Sequence, residues 1–235
     1  MKRHTRILFG ILRQALVYIL VPAFCYMIFL TLQRVLFDDS PSEVFSSFSM
    51  DILTLLVVVT AFALYKKEQL KSFFPSGLTF KRVTALIPIS LAARIPIVLI
   101  IMIAIGIFGE QAMDTIDAGI AFQWSIFGDA KGVDAFLVFL SFVLIGPIHE
   151  ELLFRGVMYP YLKKHYSVRT SMIYVTVVFT LFHFHPGLFP SSFALGLALV
   201  WVNHKWGNMG YNIILHMIIN SHPFILEYLS THLVQ

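Results

Sequence analysis

Charge is scarce in this chain: Asp, Glu, Lys and Arg make up 13% of its 235 residues, against about 25% in a soluble globular domain. Apolar residues reach 58%, above the usual 45–50% or so, and together the two figures exclude an ordinary water-soluble domain. Cysteine is nearly absent. The lone Cys25 cannot close an intrachain disulfide and, lying within an apolar run, is read as a small packing residue. A net charge of +4 gives no reason to invoke nucleic acid, and neither internal repeats nor low-complexity segments occur. Several hydrolytic signatures are also missing. No G-x-S-G motif is found, Gly128-Asp129 has Ile126 where a G-x-G-D site needs glycine, and His149-Glu150-Glu151-Leu152-Leu153 begins like H-E-x-x-H but places Leu153 at the second histidine.

What the chain has is apolar runs of membrane length. A bilayer core of about 30 Å takes roughly 17–25 helical residues, and such runs fall at Ile7–Leu32, Met50–Tyr65, Val83–Phe108, Val133–Tyr161, Val168–Phe184, Pro190–Asn203 and Met209–Leu229. The first follows Lys2, Arg3 and Arg6 as a signal peptide would. It exceeds the 7–15 residues or so of a signal core, however, and no small-residue cleavage site closes it, so a first membrane helix is expected. The sixth run is the weakest because it is short. The fold class expected is all-α, a polytopic bundle of about seven transmembrane helices. Residues 1–132 would form N-terminal membrane helices and an acidic outer loop, and residues 133–235 the helices that carry the chemistry.

Loop charges test this count. With the N-terminus in the cytoplasm, Lys2, Arg3, Arg6, Arg13, Lys66, Lys67, Lys71, Lys81, Arg82, Arg155, Lys163, Lys164, Arg169 and Lys205 fall on one side, 14 of 17 basic residues. The other side takes Asp38, Asp39, Glu43, Asp51, Glu110, Asp114, Asp117, Asp129, Asp134 and Glu227. Positive charge accumulates on the cytoplasmic side, so an integral multi-pass membrane protein with its N-terminus inside is expected. The longest loop, Gly109–Asp134, is mildly amphipathic and suits a short helix on the outer surface. Arg94 fits neither set of loops. It either snorkels to the interface or pairs with an acid of another helix.

Polar residues inside the apolar runs are few, and a carboxylate in hydrocarbon persists mainly where it is paired, wet or chemically active. Glu150 and Glu151 are neighbours, about 100° apart on a helix, so they cannot face one centre, whereas Glu151 and Arg155 meet at the i,i+4 spacing. The natural division is a structural pair, Glu151 with Arg155, beside a free acid, Glu150. Pro147 should loosen the helix one turn earlier by removing a backbone donor. The competing account, two acids capping the end of a span, is disfavoured by Phe154, Met158 and Tyr159, which continue the apolar helix. His183 ends the fifth run, and His216 and Asn220 share a face of the seventh at i,i+4. At about 1.5 Å per residue, Glu150 lies roughly 16 Å, His183 roughly 22 Å and His216 roughly 12 Å from the cytoplasmic ends of their helices, within one layer given the freedom in those ends.

Such a set suits hydrolysis. A glutamate beside a histidine can take a proton from water, and a second histidine with an asparagine can donate hydrogen bonds to an oxyanion. Glu150, His183 and His216 would equally serve as Zn2+ ligands around an activated water. The residues alone do not choose between these mechanisms.

Three segments then resemble a known family. Glu150-Glu151-Leu152-Leu153-Phe154-Arg155 matches the E-E-x-x-x-R motif of the CPBP (CAAX protease and bacteriocin-processing, or Abi) intramembrane proteases, Phe179–His183 their F-x-x-x-H and His216–Asn220 their H-x-x-x-N. Ala194-Leu195-Gly196-Leu197 and the turn Asn208-Met209-Gly210 resemble the small-residue helix and turn of the same family. The likeness covers about Val133 to Asn220. It implies that Glu150 and His183 handle the water, that His216 and Asn220 stabilise the oxyanion, and that Glu151 and Arg155 support the site, with or without a metal. His149 and His185 are extra imidazoles beside motif positions and are treated as secondary. The implied partners are membrane lipid and a membrane-associated peptide or protein substrate. Two substrate classes follow, prenylated C-terminal CAAX sequences or leader-bearing peptides such as bacteriocins, and the compact length favours the second. Readings from other classes are a non-catalytic immunity or binding protein and a proton-coupled transporter using Glu150 and the histidines as a relay.

Overall fold

The computed structural model describes residues 48–49, 51–56, 77–125, 131–183 and 185–233, and every regular element among them is helical. The first expected span and most of the second lie outside the described residues; of the second, residues 51–56 are helical.

Helices α1 (Phe80–Ala92) and α2 (Ile95–Phe108) make one apolar stretch of 29 residues, Phe80–Phe108, long enough to cross a membrane. No residue of α2 is buried. Its half-buried residues, Pro96, Ile97, Ile100, Ile101 and Ala104, share one face. The stretch turns at Ala93 and Arg94, where Pro96 near the start of α2 brings no backbone donor. Arg94 is exposed, and its Nη2 donates to Nδ1 of His222 at 2.6 Å. The partner is therefore an imidazole rather than the expected acid. Arginine only donates, so Nδ1 accepts and the proton of a neutral His222 ring sits on Nε2.

The segment Gly109–Asp134, expected to hold a short helix, contains α3 (Glu110–Ser125). Ala112, Ile116 and Gly119 form its buried stripe, which packs on the 3-10 turn Pro186–Leu188. The approach is backbone to backbone. A Cβ on Gly119 would lie 2.7 Å from the main chain of Gly187, and one on Gly187 would run into the carbonyl oxygen of Thr115.

Helix α4 (Val133–Lys163) is α-helical except for two π-helical stretches, Leu140–Ile145 and Leu152–Met158, which bracket Gly146–Glu151. Each wide stretch runs up to a proline, Pro147 or Pro160. A proline removes an N–H and crowds the carbonyl one turn back, and widening the turn relieves both; π-turns of this kind are frequent at functional sites. The loosening expected at Pro147 is thus a π-helical turn.

Ser167 caps helix α5 (Val168–Leu181), its Oγ accepting from the Thr170 amide at 3.2 Å. Helix α6 (Phe189–Trp206) belongs to the membrane-length stretch Pro186–Trp206, so the run that looked shortest in sequence is extended at both ends. It stops at Gly207, whose φ of +64° suits glycine. The next turn is tied by Asn208 Oδ1, which accepts from the Gly210 amide at 2.9 Å. The last helix is α7 (Met209–Leu233).

The core lies where α4 to α7 meet and includes Phe154, Met158, Phe179, Leu199, Tyr211 and Leu215, with Leu86 of α1 added. Between apolar helices in lipid, close van der Waals fit replaces hydrophobic drive, and small residues permit it. Gly196 is such a point: a Cβ there would sit 3.1 Å from the Phe179 ring and from Cγ2 of Thr176. The same residue lends its carbonyl to Arg155, so α5, α6 and α4 are locked together at the level of the acids.

Candidate active site

The two glutamates occupy unlike surroundings, as their helical phase requires. Glu151 is fully buried, with every partner a donor. Its Oε1 accepts from Arg155 Nη1 at 2.9 Å and from His216 Nδ1 at 3.0 Å, and its Oε2 accepts from Asn212 Nδ2 at 3.3 Å. Arg155, also buried, donates Nη2 to Gly196 O at 3.1 Å and stacks its guanidinium 4.6 Å from the centroid of Phe179. A buried charge is tolerable only when paired and hydrogen-bonded in this way.

Glu150 keeps 29% of its side chain exposed, yet its Oε2 is buried without a hydrogen-bond partner among the described residues. That oxygen faces His216 Nε2 at 3.8 Å. The gap is too long for a direct hydrogen bond, but a water about 2.8 Å from each atom can bridge it. His216 therefore stands between the acids, fixed by Glu151 through Nδ1 and presenting Nε2 to Glu150.

His183 is placed differently. Its Nδ1 is 2.9 Å from Phe179 O, four residues back, so Nδ1 donates and Nε2 is left with its lone pair. The Phe179 ring is shared, lying edge-on to His183 at 4.9 Å and to His216 at 6.0 Å between centroids. The two imidazoles thus flank one phenyl ring. Among the described residues His183 makes no hydrogen bond or ion pair with Glu150.

Asn220 Nδ2 donates to Phe142 O at 2.9 Å. In π-helical register that carbonyl would look to residue 147 for its donor, which is a proline. Asn220 supplies the missing N–H from a neighbouring helix and keeps a second one for other use. Of the two extra imidazoles, His185 caps the turn after His183 by accepting from the Gly187 amide at 3.2 Å. His149 lies within electrostatic reach of Glu150 and His216.

Among the described residues no three His, Cys, Asp or Glu side chains group as a metal ion would need.

Two further polar residues were not foreseen. Asn212, fully buried, donates to Glu151 Oε2 and at 2.7 Å to Leu199 O. The signal was available, since Asn212, His216 and Asn220 recur every four residues on one face of α7. Asp51, grouped in sequence with the outer-loop acids, instead lies beside the Ser141 hydroxyl and within reach of His149 and Glu150. Its position depends on which face of its helix packs on α4, which local pattern does not reveal.

Residues 132–222 match the family model described as type II CAAX prenyl endopeptidase Rce1-like. No curated protein and no solved structure was found to match the chain.

Proposed function

We propose, from the premise that residues 132–222 belong to the Rce1-like family of type II CAAX prenyl endopeptidases within the CPBP/Abi group, that Glu150 is the base that activates water for peptide-bond hydrolysis. The observation that carries this reading is Oε2 of Glu150, buried, without a hydrogen-bond partner among the described residues and 3.8 Å from His216 Nε2. An orphaned carboxylate oxygen in a protein interior is costly, and a bridging water repays it.

The nitrogen that each imidazole leaves free fits the division of labour that the family motifs imply. His183 gives its Nδ1 proton to a carbonyl, so neutral Nε2 can accept a hydrogen bond from water alongside Glu150. His216 gives Nδ1–H to a carboxylate, so Nε2 can donate when the ring carries a second proton. With the second N–H of Asn220 it supplies donors for the oxyanion. Water oxygen bonds to the scissile carbonyl carbon as its proton passes to Glu150; on collapse of the tetrahedral intermediate the C–N bond breaks with its electron pair on nitrogen, which takes that proton from Glu150 and leaves as the amine. Glu151, Arg155 and Asn212 act through His216 by holding it in place.

The match to CAAX prenyl endopeptidases favours a prenylated C-terminal peptide over a leader peptide as the first substrate class to test. The site is read as opening toward the cytoplasm, where basic loop residues concentrate. The test is release of the C-terminal tripeptide from a farnesylated CAAX peptide by purified wild-type protein, lost in Glu150→Gln and His183→Ala. A proton-coupled transporter would instead show substrate-driven proton flux in liposomes.

A further inference from the structure

Helix α7 contains Pro223, three residues after Asn220. Proline has no N–H for the carbonyl of Ile219 and crowds it, and that carbonyl belongs to the peptide bond that enters Asn220. The hydrogen-bond ladder of α7 is therefore interrupted at the turn that carries Asn220, so side chains of neighbouring helices must hold that turn.

Helix α4 holds one side of it. Asn220 Nδ2 donates to Phe142 O at 2.9 Å, and the Phe224 ring lies edge-on to Phe139 at 5.3 Å and tilted to Phe142 at 6.2 Å between centroids. The other side has a different support. Residues two apart on a helix diverge by about 200°, so His222 faces away from Asn220, toward α1, which packs along α7. Tyr211 stands about three turns before His222 and shares its face. The Tyr211 hydroxyl accepts from the Thr79 amide at 2.8 Å and donates to Gly77 O at 3.2 Å. Leu86 joins Tyr211 and Leu215 in the core between these ends, and Arg94 closes the far end by donating Nη2 to His222 Nδ1 at 2.6 Å. Helix α1 thus lies along the back of α7, hydrogen-bonded to it at both ends.

Arg94 sits at the centre of the apolar stretch Phe80–Phe108. A charge in such a stretch is costly and calls for a partner or a role, and the ion pairs among the described residues do not include Arg94. We propose that Arg94 is a positioning residue for Asn220: by holding Nδ1 of His222 it steadies the proline-interrupted turn from behind and keeps the second N–H of Asn220 aimed at the oxyanion. The inference rests on the reading of Asn220 as an oxyanion donor. Arg94 acts through α7 and touches no reacting atom.

The experiment is a double-mutant cycle of Arg94→Met and Asn220→Ala in the purified full-length chain in lipid nanodiscs, with a farnesylated CAAX peptide as probe and the unfolding midpoint of each variant measured alongside. Methionine removes the donor and also a charge from an apolar stretch, so Arg94→Met is expected to unfold no earlier than wild type. It should nonetheless lower kcat about tenfold, since misplacing a group by a fraction of an ångström suffices, and leave KM unchanged, because the affected hydrogen bond forms only in the transition state. Asn220→Ala is expected to lose about a hundredfold, the lower end for an oxyanion donor. Adding Arg94→Met to Asn220→Ala should cost nothing more, as two residues acting through one contact are not additive. Arg94→Lys keeps a donor for Nδ1 and is expected to recover most of the rate. A wild-type kcat in Arg94→Met, or a full further loss in the Asn220→Ala background, overturns the inference and leaves the protease reading standing. A wild-type rate in Asn220→Ala overturns the oxyanion role and the inference with it, and absence of cleavage by wild type overturns the protease reading as well. Should Arg94→Met fail to fold, His222→Leu, which removes the acceptor, takes its place in the same cycle.

Discussion

At the scale of single residues, the account turns on two adjacent carboxylates with opposite duties. Glu151 is buried and saturated by donors, and Glu150 is half-open with one orphaned oxygen. Glu151→Gln leaves Arg155 buried without its counter-ion, a change expected to cost about 3–5 kcal/mol. Unfolding in detergent should show a large drop in midpoint, with activity falling alongside. Glu150→Gln should leave that midpoint near wild type and remove cleavage by at least about a hundredfold. This division was legible from sequence because helical phase forbids neighbours one target and rewards the i,i+4 pair with Arg155. Asn212 was equally legible in principle, four residues before His216, but an isolated asparagine in an apolar run carries no sign of its partner. The place of His183 beside Phe179 was legible too, since the two stand four residues apart.

At the scale of elements, α4 departs from regular helix on both sides of the acids, and each departure leads to a proline. Pro147→Ala restores a backbone N–H and removes the steric reason for the wide turn at Leu140–Ile145. The Phe142 carbonyl would then find a donor within its own helix and release Asn220. We expect unchanged or higher thermal stability and a rate lower by about ten- to a hundredfold, because sub-ångström placement controls such chemistry; paired unfolding and cleavage assays check both halves. Gly196→Leu addresses the seam between α5 and α6, where a Cβ already meets Phe179 and Thr176 at 3.1 Å. Overpacking of that kind costs about 1–3 kcal/mol, read as a lowered unfolding midpoint. Sequence located Pro147 and the small residue at 196, since proline and glycine act through local rules. The seating of residues 51–56 on α4 was hidden, because it is decided by packing across some ninety residues of chain and not by any local pattern.

At the scale of the whole molecule, the described helices form an all-α assembly in which α4 to α7, joined by Leu86 of α1, make the dense group that holds every motif residue. The composition made the class plain, and hydropathy pointed to the membrane-length stretches Phe80–Phe108, Val133–Lys163 and Pro186–Trp206, because both are sums over many residues and tolerate local error. The polar layer joins acids of α4 to the imidazole and amides of α7, with carbonyls of α6 completing it. The side-chain mechanism predicts that chelator treatment leaves activity unchanged and that metal analysis of purified wild type matches His183→Ala. Loss of activity on chelation, with recovery on adding Zn2+, would contradict it. The central claim, that Glu150 activates water for peptide hydrolysis, is tested most directly by mass spectrometry of a farnesylated CAAX peptide incubated with wild-type or Glu150→Gln protein of matched thermal stability. The account predicts tripeptide release by wild type and at least about a hundredfold less by the variant; equal release by the two would contradict it.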